Sequence, residues 1–311
     1  MLIVVNLIES ECEVKVRIGF IGVGNIGRPM AYKILEAGYS LMVYDLIRDS
    51  AKLLLEDGAI WADSPAELAT QCDVICTCLP GPAEMEQVVL GDSGVIEGIN
   101  PNSIYIDHTT NSPSLVKKVH EKIVARGSYM LDAPVSGGKE GAETRDLTVL
   151  VGGEPDVLEK VLPIMNAMAK TVMHVGGIGS GCVGKVTHNC AIFSLEQAML
   201  ECLTLGVKAG VSPESMVKVF QKAALGRNMG LHVRLPDTLF KGDFEARFAL
   251  SIAHKDMLLA KEMAETHDVP MPVTDVTERA MKEAVDRGWE NLDSSIFLTL
   301  QEELAGVEIR I

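Results

Sequence analysis

The glycine motif Gly22-Val23-Gly24-Asn25-Ile26-Gly27 constrains the fold of this chain more than any other segment. It follows an apolar run, Val16–Ile21, that is typical of a buried strand, and it opens a helical stretch, Gly27–Glu36. In such a unit the first glycine permits a tight turn, the second lets the backbone approach a pyrophosphate, and the third lets helix and strand pack closely. The motif therefore predicts a βαβ unit that binds a dinucleotide at the N-terminus of its helix.

An acidic residue ends the next predicted strand. Asp45 follows Leu41–Tyr44 and lies eighteen residues after Gly27. A carboxylate at this position accepts hydrogen bonds from the adenosine ribose and repels the 2′-phosphate of NADP. Asp45 therefore favours NAD, while Arg48 and Arg28 keep NADP as the less favoured alternative because a nearby arginine can accommodate that phosphate.

The first half of the chain alternates short β-rich runs with helical stretches, which predicts a mostly parallel, doubly wound sheet. Further strands are predicted at Val74–Leu79, Ser103–Asp107, Tyr129–Asp132, Thr148–Val151 and Thr171–Val175, with helices at Asp49–Asp57, Pro65–Thr70, Ala83–Val89, Ser114–Arg126 and Pro155–Ala169. After a glycine-dense turn, the predicted elements are helices at Val183–Ala209, Val211–Ala224, Phe248–Thr266, Val273–Arg287 and Ser295–Leu304. We therefore divide the chain into an N-terminal extension (1–14), a dinucleotide-binding α/β domain (15–178) and a helical domain (179–311), with the long first helix between the two domains.

Composition excludes several classes of function. Of the 311 residues, 47% are hydrophobic, and the formal net charge is −15. A large core is expected, and a nucleic-acid partner is not, since binding phosphates requires clustered Lys and Arg. The seven cysteines form no CxxC pair, so no disulfides and a reducing, cytoplasmic location are expected. The N-terminus lacks the basic region of a signal peptide, and no apolar run would span a bilayer.

Several other segments resemble the β-hydroxyacid dehydrogenases, the family that includes 3-hydroxyisobutyrate dehydrogenase and tartronate semialdehyde reductase. These segments are Asp132-Ala133-Pro134-Val135-Ser136-Gly137-Gly138, Gly179-Ser180-Gly181-Cys182-Val183-Gly184-Lys185 with Asn189, Leu79-Pro80, Asp107-His108-Thr109-Thr110 and Lys255-Asp256-Met257. The resemblance extends over almost the whole chain from Val16 onward. It implies a Rossmann-like doubly wound parallel sheet domain followed by an all-helical C-terminal domain like that of 6-phosphogluconate dehydrogenase, with the active site between them.

The resemblance also implies an activity and the residues that carry it. The activity is reversible hydride transfer between a nicotinamide and a short 3-hydroxy acid or its semialdehyde, in a homodimer or homotetramer. Lys185 takes the catalytic role together with Asn189, which also helps to hold the substrate. The other implied substrate-binding residues are Ser136, Gly137 and Gly138. The expected cofactor-binding residues are Gly22, Val23, Gly24, Asn25, Ile26, Gly27, Asp45, Leu79, Pro80, Thr110 and Lys255.

These residue types suit the reaction. Oxidising an alcohol requires a base that removes the hydroxyl proton, and Lys185 can do so if burial and a neighbouring positive charge lower its pKa toward neutrality. Asn189 is four residues further along a predicted helix, so both side chains lie on one face. Ser136 follows a strand, at the sheet edge where α/β domains bind ligands. No metal is expected, since the lysine handles the proton and the cofactor takes the hydride.

Other features leave alternatives open. His188-Asn189 resembles the 6-phosphogluconate dehydrogenases, so an oxidative decarboxylase is one alternative. A dinucleotide sensor without catalysis is another, although a sensor would need neither Lys185 nor Asn189. Lys255 can also be interpreted as a surface residue paired with Asp256 or Glu262. Arg145 stands where the family usually has glycine, near the predicted substrate loop, and is a candidate for anion binding.

Overall fold

The structure is a computed structural model that describes residues 16–208, 210–222, 230–266 and 272–311, so the predicted extension at 1–14 lies outside the described residues. Nine strands form one sheet: β1 (Arg17–Ile21), β2 (Ser40–Tyr44), β3 (Ile60–Trp61), β4 (Val74–Thr77), β5 (Ile104–Asp107), β6 (Tyr129–Asp132), β7 (Val135–Ser136), β8 (Thr148–Gly152) and β9 (Thr171–Gly176). The helices of this part are α1 (Gly27–Glu36), α2 (Lys52–Glu56), α3 (Pro65–Gln71), α4 (Pro82–Leu90), α5 (Val95–Gly98), α6 (Pro113–Ala125), α7 (Gly138–Thr144) and α8 (Pro155–Met168).

The sheet has the strand order β3-β2-β1-β4-β5-β6-β8-β7, and β9 pairs with β8. Strands β1 to β6 are parallel, as predicted, whereas β8 runs antiparallel to β6 and β7. The order reverses between β1 and β4, so their carboxyl ends form the crevice in which doubly wound sheets bind ligands. The glycine motif lies directly after β1, at this crevice.

Both faces of the sheet are buried, because helices cover them. The cluster on the α1 and α8 face includes Phe20 and Val43, and the cluster on the α3, α4 and α6 face includes Ile75 and Tyr105, all completely or almost completely inaccessible to solvent. Parallel strands buried on both faces are continuously apolar rather than alternating. The central strands of this sheet are therefore visible in the sequence as short, continuous apolar runs.

The second part is helical, as predicted. Its helices are α9 (Ser180–Lys208), α10 (Pro213–Lys222), α11 (Leu235–Asp237), α12 (Leu250–Thr266), α13 (Pro272–Asp286) and α14 (Thr299–Ala305), with a π-helical turn at Gly230–Arg234. They enclose a separate apolar core that includes Phe193, Leu200, Phe240 and Phe297. Within the described residues, no helix combines the length and the apolar character that crossing a membrane requires.

The differences from the predicted elements lie in short segments. The prediction missed β3, β7, α5 and α7, each of which has seven residues or fewer. It also placed the start of the long helix at Val183, whereas α9 begins at Ser180. The predicted helix Ser295–Leu304 is a 3-10 turn, Ser294–Leu298, followed by α14. Such short elements depend on tertiary packing more than on local propensity.

Candidate active site

The glycine loop forms an open cradle at the end of β1. Gly22 has φ +87°, a backbone conformation that residues with a Cβ rarely adopt. A Cβ on Gly27 would collide with the Gly22 carbonyl oxygen. In contrast, no atom lies within 4 Å of where a Cβ on Gly24 would be. The backbone is therefore closely packed beneath the loop and open above Gly24, where a pyrophosphate can approach the N-terminus of α1. The loop fits a dinucleotide.

Asp45, which follows β2, is hydrogen-bonded to the glycine loop. Its carboxylate accepts hydrogen bonds from the backbone N–H groups of Val23, at 2.8 Å, and Ile47, at 2.9 Å. A carboxylate has about four lone-pair positions, so it retains the capacity to accept bonds from ribose hydroxyls. The guanidinium carbon of Arg48 lies 4.8 Å from the centre of the Trp61 ring, so this cation stacks on an aromatic face.

The loops after β4 and β5 come together beside the glycine loop. The N–H of Leu79 donates to the hydroxyl of Thr109 at 3.0 Å, and the side chain of Leu79 lies 2.9 Å from where a Cβ on Gly22 would be. Pro80 follows and is exposed. The structure therefore places the predicted cofactor residues Leu79 and Pro80 next to the cradle.

A buried carboxylate, Asp107, holds the β5 loop in place. It accepts hydrogen bonds from the Thr77 hydroxyl at 2.8 Å, the Thr109 N–H at 3.1 Å and the Asn111 amide at 2.7 Å. Burial raises the pKa of Asp107 to about 6, and these donors oppose the rise. Thr110 lies on this loop between Thr109 and Asn111, and its carbonyl accepts a hydrogen bond from the helical domain.

Lys255, on α12, reaches this loop from the helical domain. Its ammonium donates to the Thr110 carbonyl at 3.2 Å and pairs with Asp256 at 2.9 Å. Its Cδ lies 3.1 Å from where a Cβ on Gly81 would be. Lys255 therefore pairs with Asp256, and it also contacts two of the loops that are predicted to bind the cofactor.

Lys185 lies on α9 and is joined to Lys255 through two side chains. Its Nζ donates to the Asn189 side-chain oxygen at 3.0 Å, as the four-residue spacing predicts. The Asn189 amide in turn donates to the carboxylate of Asp256. The chain of contacts Lys185–Asn189–Asp256–Lys255–Thr110 therefore links the expected catalytic lysine to a cofactor loop of the other domain.

Burial gives Lys185 the acid–base character that was expected from its sequence context. It lowers the pKa of Lys185 from its ordinary value of 10.5 to about 8. The negative charge of Asp256 opposes this change, and the positive charge of Lys255 adds to it. A lysine with this pKa is neutral in a useful fraction of molecules near neutral pH, and it can both accept and return a proton.

The expected substrate segment forms the turn between β7 and α7. Gly137 and Gly138 are exposed and have φ +131° and +62°, and the space beside Gly138 is open. Strand β8 lies between this segment and α9. Ser136 is opposite Thr148 in the register, and the Leu150 side chain is 3.6 Å from where a Cβ on Gly184 would be.

The sequence analysis considered Asp256 only as one alternative ion-pair partner of Lys255, and it assigned no role to a stacked aromatic pair in the helical domain. Phe193 and Phe248 stack with ring centroids 5.8 Å apart, one helical turn beyond Asn189. The spacing of 185, 189 and 193 on one helix face was the available signal for Phe193. Asp256 was visible only as a neighbour of Lys255, since its bond to Asn189 joins residues 67 positions apart.

Arg145 and His188 occupy different environments. The Arg145 guanidinium donates to the Asn166 carbonyl at 3.0 and 2.5 Å, so the cation is engaged at the end of α8, and its backbone has φ +62°. This arrangement gives no support to the expected anion-binding role. His188 is exposed, with Nδ1 3.4 Å from the Asn189 side-chain oxygen, and so it lies at the edge of the site.

Two family models match the chain. Residues 17–177 match the NAD binding domain of 6-phosphogluconate dehydrogenase, and residues 179–300 match the NAD-binding domain of NADP-dependent 3-hydroxyisobutyrate dehydrogenase. The two matches meet at the boundary between the sheet and α9.

Curated relatives and a solved structure are similar over nearly the full length. The 2-(hydroxymethyl)glutarate dehydrogenase of Eubacterium barkeri is 32% identical over 96% of this chain and 98% of its own. The NAD-dependent L-serine dehydrogenase of Pseudomonas aeruginosa is 31% identical over 93% of this chain and 99% of its own. The Mycobacterium tuberculosis 3-hydroxyisobutyrate dehydrogenase, solved with L-serine, superimposes with a TM-score of 0.83 at 27% identity, covering 92% of this chain and 98% of that one.

The two charges beside Lys185 lead to a prediction. Lys255→Met removes a positive charge that lowers the pKa of Lys185, so that pKa should rise above 8. Asp256→Asn removes a negative charge that raises it, so that pKa should fall. The pKa can be measured without substrate from the pH dependence of Lys185 acetylation by trace acetic anhydride, followed by mass spectrometry of its peptide.

Lys218, an exposed lysine paired with Glu214, serves as the internal control for the reagent, and its extent of acetylation should be the same in all three proteins. Shifts of Lys185 in the same direction in both variants would contradict the arrangement of charges described above.

Proposed function

Since the chain belongs to the β-hydroxyacid dehydrogenase family of oxidoreductases, we propose that it is an NAD-dependent dehydrogenase of a short 3-hydroxy acid, working reversibly on the matching semialdehyde. The observation that carries this proposal is the partly buried Lys185, which is hydrogen-bonded to Asn189 and connected through Asp256 and Lys255 to the loop at Thr110. A simple binding domain has no need of a lysine with a pKa near 8 in this position.

In this proposal Lys185 is the general acid and base. Above its pKa the neutral amine accepts the proton of the substrate hydroxyl, and in the reverse direction the ammonium returns a proton to the carbonyl oxygen. Asn189 fixes the direction of the amine by accepting one of its hydrogens. Bound NAD would supply the hydride acceptor for oxidation.

The substrate carboxylate is assigned to the β7–α7 turn. Ser136 offers a hydroxyl, and the exposed backbone of Gly137 and Gly138 allows an anion to approach the peptide N–H groups closely. The stacked rings of Phe193 and Phe248 lie one turn beyond Asn189 and belong to the apolar core of the helical domain. The exposed, open turn favours a small acid.

We propose that the cofactor contacts the Gly22–Gly27 loop and five residues around it, which are Asp45, Leu79, Pro80, Thr110 and Lys255. NAD is favoured over NADP because the Asp45 carboxylate is held on the glycine loop by the Val23 N–H, and it therefore stays where a 2′-phosphate would be placed. The stacking of Arg48 on Trp61 engages one of the two arginines that could accommodate a 2′-phosphate.

Oxidative decarboxylation of a sugar acid is the second candidate function. Two observations favour it: His188 lies beside Asn189, and the sheet domain matches a 6-phosphogluconate dehydrogenase model. It is the less favoured candidate because the Arg145 cation beside the substrate turn is engaged by the Asn166 carbonyl and does not mark a sugar-phosphate site.

We also propose a homodimer or homotetramer. Val183 and Leu195, both on the long helix α9, are 38% and 46% exposed, so apolar side chains of this helix are available for a contact between subunits. Light scattering in solution tests this proposal, and a mass equal to one chain at micromolar concentration would contradict it.

The catalytic assignment predicts that Lys185→Ala abolishes turnover and leaves NADH binding within about twofold. General acid–base catalysis typically contributes at least about 100-fold to the rate, so kcat should fall by that factor or more. Lys218→Ala, on the exposed surface of α10, is the matched control. A Lys185→Ala enzyme that keeps most of its kcat would refute the role of this residue.

A panel of substrates decides the substrate class. L-Serine, 3-hydroxyisobutyrate, 2-(hydroxymethyl)glutarate and 6-phosphogluconate are each tested with NAD and NADP, and carbon dioxide release is measured in parallel. We expect NAD reduction by at least one of the three hydroxy acids and no turnover of 6-phosphogluconate. Turnover of 6-phosphogluconate with carbon dioxide would establish the second candidate, and tight NADH binding with no turnover would establish a sensor.

The cofactor assignment predicts that Asp45→Ala changes the ratio of kcat/KM for NAD to that for NADP. The variant loses bonds to the ribose hydroxyls and also the repulsion of the 2′-phosphate, so the ratio should fall by about 10-fold or more. Asp49→Ala, which changes an acidic residue of the following 3-10 turn, is the control. An unchanged ratio in Asp45→Ala would contradict the assignment.

A further inference from the structure

Asp132 is a buried carboxylate for which the proposed mechanism has no use. It is the last residue of β6, its solvent exposure is 0%, and it stands directly beside Asp107 in the register of β5 and β6. Asp107 holds the β5 loop, as described above. Asp132 instead faces the start of α9.

The two carboxylate oxygens of Asp132 each accept a backbone N–H of that start. Oδ1 accepts from Gly179 at 2.6 Å, and Oδ2 accepts from Cys182 at 2.8 Å. The first N–H groups of a helix have no partners within the helix, and a negative charge there is stabilised by the helix dipole. The acceptor here is supplied by a strand 47 and 50 residues earlier rather than by a neighbouring residue.

The packing around this carboxylate leaves no free space. A Cβ on Gly152 would collide with Asp132 Oδ1, and a Cβ on Gly181 would lie 2.7 Å from the Asp132 carbonyl oxygen and would also meet the carbonyl oxygen of Leu150. The first turn of α9 therefore rests directly on the backbone of β6 and β8. Burial raises the pKa of Asp132, and the two N–H donors oppose this rise.

Lys185 follows Cys182 by three residues, which is less than one helical turn, or about 4.5 Å along the axis. Any displacement of the first turn is passed to the lysine almost unchanged. Ser136 lies four residues after Asp132, on the chain that leaves the same strand end. The Asp132 carboxylate thus connects the helix that carries Lys185 with the strand that leads to the substrate turn.

We propose that Asp132 is a positioning residue that anchors the first turn of α9 to β6 and so sets how deeply Lys185 enters the cleft between the domains. This inference rests on the proposed function for its kinetic consequences, since it assumes that Lys185 is the acid–base group. The anchoring itself does not depend on the substrate.

Asp132→Asn tests the proposal with an isosteric side chain. The amide nitrogen cannot accept a hydrogen bond, so one of the two backbone N–H groups loses its partner and meets another donor. We expect kcat to fall by about 10- to 100-fold, since a misplacement of about 1 Å can cost that much. The KM for NAD should change by less than about threefold, because Asp132 does not contact the Gly22–Gly27 loop.

The second readout is the titration of Lys185. If the first turn moves off the sheet, the lysine becomes more exposed, and its pKa rises from about 8 toward 10.5. The pH below which oxidation is lost should then move upward. The acetylation midpoint of Lys185, measured without substrate, should move in the same direction.

Glu302→Gln is the matched control. Glu302 is a buried carboxylate that accepts a backbone N–H from Ile309 and pairs with Arg310, at the C-terminal end of the chain. This variant should lower the melting temperature and leave kcat per folded molecule and the Lys185 midpoint unchanged. If Asp132→Asn behaves in the same way, its role is only structural and the proposal is overturned.

Gly181→Ala approaches the same contact from the helix and decides the matter if Asp132→Asn does not fold. Its Cβ would push the first turn away from Leu150 and should give the same pair of changes, a lower kcat and a raised Lys185 midpoint. A Gly181→Ala protein with wild-type kcat and midpoint would overturn the proposal. If the wild-type protein oxidises no hydroxy acid, the proposed function fails, while the acetylation midpoints still test the anchoring.

Discussion

The hydrogen bond from the Asn189 amide to the Asp256 carboxylate joins the two helices on which the candidate site depends. On α9, the oxygen of the same amide accepts a hydrogen from Lys185. On α12, the same carboxylate pairs with Lys255, which contacts the Thr110 carbonyl. Because an amide has a donor end and an acceptor end, Asn189 can connect a cation and an anion that do not touch. These contacts therefore fix the position of Lys185 relative to the predicted cofactor loop at Thr110.

This arrangement explains how a partly buried lysine keeps a pKa near 8. Burial alone favours the neutral amine, and a fully isolated lysine would lose too much basicity to act as a proton acceptor. Asp256 restores part of that basicity, and Lys255 limits the restoration. The result is a group that titrates near pH 8, close to the conditions under which a reversible dehydrogenase must both take and give protons.

The parts that the sequence predicts well are those encoded locally. The β1 strand, the Gly22–Gly27 turn and α1 follow one another within twenty residues, and Lys185 and Asn189 are brought together by the helical repeat alone. The bonds of Asp132 and Asp256 join positions about 50 and 67 residues apart, so no local pattern signals them. The family resemblance marked both aspartates as members of motifs without saying what they hold.

Arg145 shows what a position in the sequence leaves open. It lies near the substrate turn in sequence, its backbone is left-handed, and its guanidinium donates to the Asn166 carbonyl of α8. The sequence shows the residue type and its neighbours, whereas the contacts of the guanidinium depend on the fold. Similarly, β7 and α7 carry the substrate turn but are too short and too glycine-rich to be recognised as elements.

The proposed function depends most on one step, in which Lys185 exchanges the proton of the substrate hydroxyl. The most direct measurement is the distance from Lys185 Nζ to the hydroxyl oxygen in a crystal structure of the protein with NADH and the hydroxy acid that it turns over. If Lys185 is the acid–base group, this distance corresponds to a hydrogen bond of about 2.6–3.2 Å. A hydroxyl bonded to another side chain, with Lys185 more than about 4 Å away and still paired only with Asn189, would contradict that role.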